Sequence, residues 1–204
     1  MNVTTDVVLA MVSGIIQVVA FVLYNKYILK GKTHPNIASW GIWAFITVLN
    51  FTSYGVMSDD WVKSLLPTVS SLMCIVTFLL SLAKGKLSKL GLFDTAALVF
   101  GLAASLAWWQ LQSATYANLI LQVGICIGFI PTLRSVWKTP SNEQPLPWFL
   151  WTGAYALMIV VVYLRWRGQY QELVYPVECL IAHGLVGVLA LRKSKLGSSH
   201  SGES

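Results

Sequence analysis

Charge is what this chain has least of. Asp, Glu, Lys and Arg make up 11% of its 204 residues, against about 25% in an ordinary soluble domain. A shortfall of that size excludes a globule with a solvated surface. Cysteine is scarce as well. Cys74, Cys126 and Cys179 stand singly inside apolar runs, which excludes a disulfide framework and a C-x-x-C redox or zinc motif and makes them small buried hydrophobes. His34, His183 and His200 are scattered over a loop, an apolar run and the tail, so no metal centre and no cofactor is expected. No phosphate-binding glycine loop and no Ser-His-Asp set is present, so no enzyme is expected. The last apolar run, 173–191, has no lysine, which excludes a retinal Schiff base.

What is present is hydrophobic sequence in long stretches, 56% of the chain. Seven runs read as spans: 6–29, 36–57, 64–83, 92–109, 116–137, 148–166 and 173–191. About 20 apolar residues suffice to cross roughly 30 Å of hydrocarbon as a helix. The fold expected is therefore an all-α membrane protein of seven transmembrane helices with short connections. Asp6, and no Lys or Arg before the first run, argues for a retained first span and against a cleaved leader. The formal charge of +6 would suggest nucleic acid as partner of a soluble chain; here it reports topology, and no nucleic-acid partner is expected. With the N-terminus outside and the C-terminus inside, eleven basic residues fall at inner ends and only Lys63, Arg165 and Arg167 outside, as the positive-inside rule requires. Trp40, Trp137 and Trp148 are expected at the inner interface, and Trp61, Trp108, Trp109 and Trp166 at the outer one, as aromatic belts. The partners implied are the lipid bilayer and a small-molecule solute, with a homo-oligomer possible. The expected location is a bacterial inner or plasma membrane.

The chain also repeats itself. GKTHPNIASWGIW, 31–43, returns about 108 residues later as KTPSNEQPLPWFLW, 138–151. Trp40 and Trp43 answer to Trp148 and Trp151, Lys32-Thr33 to Lys138-Thr139, and Gln17 to Gln122. Pro67 falls on Pro176 when the third and seventh spans are aligned without a gap, and Lys84-x-Lys86 falls on Lys193-x-Lys195. Spans one to three thus repeat as spans five to seven, and span four restores the parity. The expected architecture is a 3+1+3 pair of parallel three-helix bundles: 1–86, a linker helix in 87–113, 114–193, and a disordered cytoplasmic tail at 194–204. In such parallel-repeat carriers the substrate site lies between the copies near the bilayer midplane.

At these residues, above all GFIPTLRSVWKTPSNEQPLPWFLW, the chain resembles the PQ-loop superfamily, which includes the SWEET and SemiSWEET sugar transporters. The resemblance covers nearly the whole chain. It implies two three-helix bundles that alternate access around a proline hinge in the first helix of each. Pro131-Thr132 stands where the second copy should read Pro-Gln, and Asn25-Lys26 where the first should, so the hinge positions are Pro131 and Asn25 and the first lacks its proline. The function implied is a transporter moving a small polar solute (a sugar, an amino acid or a vitamin-like compound) through a central cavity. The alternative is a receptor or scaffold on the same fold that transports nothing, which the missing hinge proline favours.

The candidate solute-binding residues follow from membrane depth and from the repeat. Ionisable groups inside a span usually face water, a partner or a substrate, which singles out Glu178 and His183, the latter suited to proton coupling. Five positions apart, they do not share a helix face. The repeat nominates Ser70, Ser71 and Cys74 on the opposing wall, with Asn50 and Tyr155 adding polar contacts. Gln17 and Gln122 either line the pathway or hold neighbouring helices together. Asp94 suits the start of a helix, and Gly124-x-x-x-Gly128 permits close helix approach. The Trp-x-x-Trp pairs either anchor the interface or gate the inner side.

Overall fold

The computed structural model describes residues 4–33, 37–84 and 89–198. Within them are seven α-helices: α1 Thr5–Leu29, α2 Ile37–Ser58, α3 Trp61–Lys84, α4 Leu92–Leu111, α5 Ala114–Lys138, α6 Pro145–Leu164 and α7 Val174–Ser198. Single 3-10 turns at Pro140–Asn142 and Tyr170–Leu173 precede the last two. No strand occurs among the described residues. Helix ends fall within three residues of the boundaries read from the sequence, except that α7 continues beyond 191 to Ser198. His34, Pro35, Asn36, Lys86 and residues 199–204 lie outside the described residues.

Six of the seven helices are long and apolar enough to cross a membrane. The exception is α2, whose 22 residues include Thr47, Asn50, Thr52 and Ser53. Three of these return their hydroxyls to the carbonyls of the preceding turn, Thr47 to Trp43, Thr52 to Val48 and Ser53 to Leu49, which satisfies them without water. Polarity runs opposite to that of a soluble protein. Ile15, Val56, Leu72, Leu79 and Val99 point outward, while Ser13, Gln17, Asn50, Ser70, Ser71, Asn118 and Gln122 are buried. An integral membrane protein is the class that this arrangement fits.

Local chemistry sets the helix ends. α1 closes in a Schellman motif: Gly31, at φ 65°, donates its N–H to Ile28, and Lys32 donates to Tyr27, a left-handed step that glycine takes without strain. Asp59 turns the chain at φ 44°, and Asp60 then caps α3 by accepting the N–H groups of Val62 and Lys63. Asp94, in the first turn of α4, accepts the N–H of Gly91 at 3.0 Å, the role its position suggested.

The helices pack in a ring. α3 lies against both α1 and α2, and α7 against both α5 and α6; α1 meets α6, and α2 meets α5. α4 sits outside, against α5 and α2. The α4–α5 approach depends on Gly124, where a Cβ would come within 2.9 Å of Phe100 Cβ and 3.3 Å of the Ala97 carbonyl. Two polar seams join the halves. Ser13 donates to the Ala154 carbonyl at 2.8 Å, and Asn118 bridges Asn50 at 3.1 Å and Ser53 at 2.9 Å.

Candidate functional site

Inside the ring lies a cavity of about 370 Å³, within the range usual for small-molecule sites, roughly 300–1,000 Å³. Six helices line it with residues three or four positions apart, the spacing of a single helix face. α1 contributes Gln17, Phe21 and Tyr24; α6 contributes Trp148, Trp151 and Tyr155; α7 contributes Tyr175, Cys179 and His183. Ser70 and Cys74 come from α3, Trp40, Trp43 and Thr47 from α2, and Ile125 and Phe129, with Pro131 beside them, from α5. The cavity opens toward the end that carries Ser39, Asp94, Ser135 and Glu143, where α1, α3 and α5 finish in Lys26, Lys84 and Lys138.

The opposite end is sealed in layers. Tyr155 and Tyr175 share a hydroxyl hydrogen bond of 2.8 Å at the cavity floor, and Tyr54 packs on Tyr175 at 5.9 Å between ring centroids. Tyr54 donates its hydroxyl to the Glu172 carbonyl at 3.0 Å. Behind this layer Lys63 Nζ and Glu172 Oε2 form an ion pair of 2.7 Å, both side chains fully buried. Arg165 closes the outermost layer, paired with Asp6 and, at 2.7 Å, with Asp60; Arg167 Nη2 lies 3.8 Å from the same Asp60 oxygen. Burial pushes the Asp60 carboxyl up, but Arg165 and two backbone N–H groups outweigh it and hold the group below the usual carboxylate range. Arg165 is raised in turn by its bonds to Asp60 and Asp6. All three basic residues at this end are thus neutralised by acids.

His183 stands at the centre of an aromatic enclosure. Phe129, Tyr155, Trp151 and Trp148 lie 4.9, 5.1, 5.4 and 5.5 Å from its ring. Its Nδ1 is 2.7 Å from the Cys179 carbonyl. A carbonyl only accepts, so Nδ1 carries the proton. Gln17 donates its amide to Ser70 at 2.7 Å, leaving Gln17 Oε1 without a partner, and Trp151 Nε1 likewise donates to no described residue. At the mouth, Glu143 accepts the Trp148 Nε1–H at 3.1 Å. Burial pushes the Glu143 carboxyl up to about 7, against the lowering effect of that bond.

No family model, curated protein or solved structure matches the chain.

Of the residues singled out in the sequence, Gln17, Ser70, Cys74, Tyr155, His183 and Pro131 come together on the cavity wall. Glu178, Ser71, Asn50, Gln122 and Asn25 do not line it. For Glu178 the reason is helix phase. At 3.6 residues per turn, the wall of α7 takes positions 175, 179 and 183 and leaves 178 on another face, beside Cys126. Gln122 is spent on packing: its amide donates to Asn50 at 3.0 Å and to Asn118 at 3.0 Å. Pro131 is inside α5, whereas Asn25, in α1, has its side-chain carbonyl buried without a partner. Trp148, expected as an interfacial anchor, is only 7% exposed and lines the cavity; Trp137, 63% exposed, keeps the surface position expected of it. Tyr175 and Cys179 share the four-residue spacing of His183, so that pattern could have found them. Glu143, in a loop with no periodicity, left no such trace.

Proposed function

We propose that this protein is a membrane carrier that moves a small solute through the central cavity by alternating access. The observation that carries the proposal is the asymmetry of the cavity. It is lined by the polar residues Ser39, Asp94, Ser135 and Glu143 at one end, and closed by stacked tyrosines and ion pairs at the other. A carrier caught open to one side has that form. A receptor or scaffold has no need of a pathway sealed by groups that water could separate.

Two further features support the reading. Helix adjacency is the same in the two halves: α3 between α1 and α2, α7 between α5 and α6, and the α1–α6 contact answered by α5–α2. This is the pattern of two three-helix units related by an axis along the bilayer normal, with α4 as the link, in a seven-span protein whose paired-acid end faces outside. In that orientation the described basic residues of the inner ends have no ion-pair partner among the described residues, and the outer ones are paired with acids. The arrangement is of the PQ-loop kind, with Pro131 as the hinge of the second unit.

The test is uptake by proteoliposomes of a panel of radiolabelled sugars, amino acids and vitamin-like bases. Saturable uptake of one class, lost in Ser70→Phe, which fills the cavity beside Gln17, supports a carrier. Uptake equal to that of protein-free vesicles for the whole panel removes the proposal.

A further inference from the structure

We infer that the solute this cavity accepts is a small organic cation bearing N–H donors and an aromatic or flat apolar body. The inference rests on the carrier reading only for movement of the solute; binding stands apart from it. It starts from what the wall leaves out. The mouth opens at the end where most of the chain's lysines and arginines lie, yet among the described residues no Lys or Arg lines the cavity. Its two charged residues are Asp94 and Glu143. Asp94 is occupied by the Ser39 hydroxyl at 2.8 Å and the Gly91 N–H, whereas the bonds found for Glu143 reduce to the Trp148 indole. An anion entering here would meet carboxylates with no counter-charge.

The aromatic surface points the same way. Tyr24 lies 5.5 Å from both Trp40 and Trp151, and Trp148 lies 5.0 Å from Trp151, so four electron-rich rings converge just inside Glu143. The faces of such rings attract cations, tryptophan most strongly. The unmet polar atoms complete the match. Gln17 Oε1 accepts and Trp151 Nε1 donates, neither with a partner among the described residues, so with the carboxylate of Glu143 the site asks its ligand chiefly for N–H groups. A neutral polyol satisfies the hydrogen bonds but makes no use of the carboxylate or the ring faces.

Full-length protein in lipid nanodiscs, titrated calorimetrically with benzylammonium, benzyl alcohol, benzoate and phenyltrimethylammonium, tests this. Benzylammonium is expected to bind at least about tenfold more tightly than benzyl alcohol, a ratio within reach of one desolvated cation–ring contact, and benzoate not at all. Glu143→Gln should weaken benzylammonium about tenfold, as loss of one charge partner at a partly wet mouth does, and leave benzyl alcohol unchanged. Gln17→Leu should cost benzylammonium more than phenyltrimethylammonium, which has no N–H. Equal binding of alcohol or benzoate, indifference to Glu143→Gln, or no binding by protein that still melts cooperatively overturns the inference. Cation binding without exchange across liposomes keeps the ligand assignment and removes the carrier; exchange of a neutral solute without cation binding does the reverse.

Discussion

Replacing Lys63 with methionine should unlock the sealed end. In the sealed form Lys63 and Glu172 are fully buried and 2.7 Å apart, and Glu172 Oε1 has no other partner among the described residues. Removing one member of such a pair leaves an uncompensated buried charge, at a cost of about 3–5 kcal/mol. If opening brings Glu172 to water, the sealed form alone bears that cost. At about 1.4 kcal/mol per factor of ten, the balance moves by roughly two to three and a half orders of magnitude toward opening. Cys74 and Cys179 on the cavity wall are native reporters once Cys126, exposed midway along α5, is changed to serine. In oriented vesicles, a small impermeant methanethiosulfonate should modify the wild-type cavity thiols from the Lys138 face alone. Lys63→Met should add modification from the Asp60 face, and Lys63→Met/Glu172→Gln should reduce it again. Equal modification of the wild type from both faces, or none from the Asp60 face in Lys63→Met at unchanged stability, refutes the reasoning.

Other outcomes follow from the same geometry. Gly124→Ala should lower stability by about 1–3 kcal/mol, read as a lower melting temperature in detergent, because Phe100 and the Ala97 backbone leave no room for its Cβ. Asn118→Leu removes the side-chain bridges to Asn50 and Ser53 between α2 and α5, and should cost about 0.5–1.5 kcal/mol in the same assay. Glu143 is raised from 4.5 to about 7 by burial, so between those values the folded chain binds more protons than the unfolded one. Its stability should therefore fall as pH rises from about 4.5 to 7 and then level off. Glu143→Gln should flatten that part of the melting-temperature profile, while benzylammonium affinity of the wild type rises as pH passes through about 7.

The helices were legible because each is an apolar run bounded by a polar turn. Gly31, Asp60 and Pro145 mark ends in the structure, the last two starting α3 and α6 three residues before the apolar runs suggested. The site was legible only in part. His183 stood out as an ionisable residue at membrane depth, and Gln17, Ser70 and Cys74 through the repeat. Glu178 stood out for the same reason as His183 but lies on another face of α7, a distinction that helix phase alone provides. Lys63 read as one of three outer basic residues, yet its partner Glu172 is 109 positions away, beyond any local pattern. Trp148 carries the same signal whether it meets lipid or a cavity; only the packing of α6 against α1 and α7 decides between them. Gln17 and Gln122 occupy matching places in sequence and different ones in space, because Asn118 and Asn50 give Gln122 partners that Gln17 lacks.

Whether the two ends move in opposition is open to direct measurement by pulsed electron spin resonance. One spin-label pair belongs at Leu92 and Leu146, flanking the mouth, and another at Trp61 and Tyr170, across the sealed end, all four exposed. Saturating benzylammonium, or Lys63→Met, is predicted to shorten the first distance and lengthen the second within the same sample. Two distances that stay single and unchanged under both perturbations contradict alternating access through this cavity.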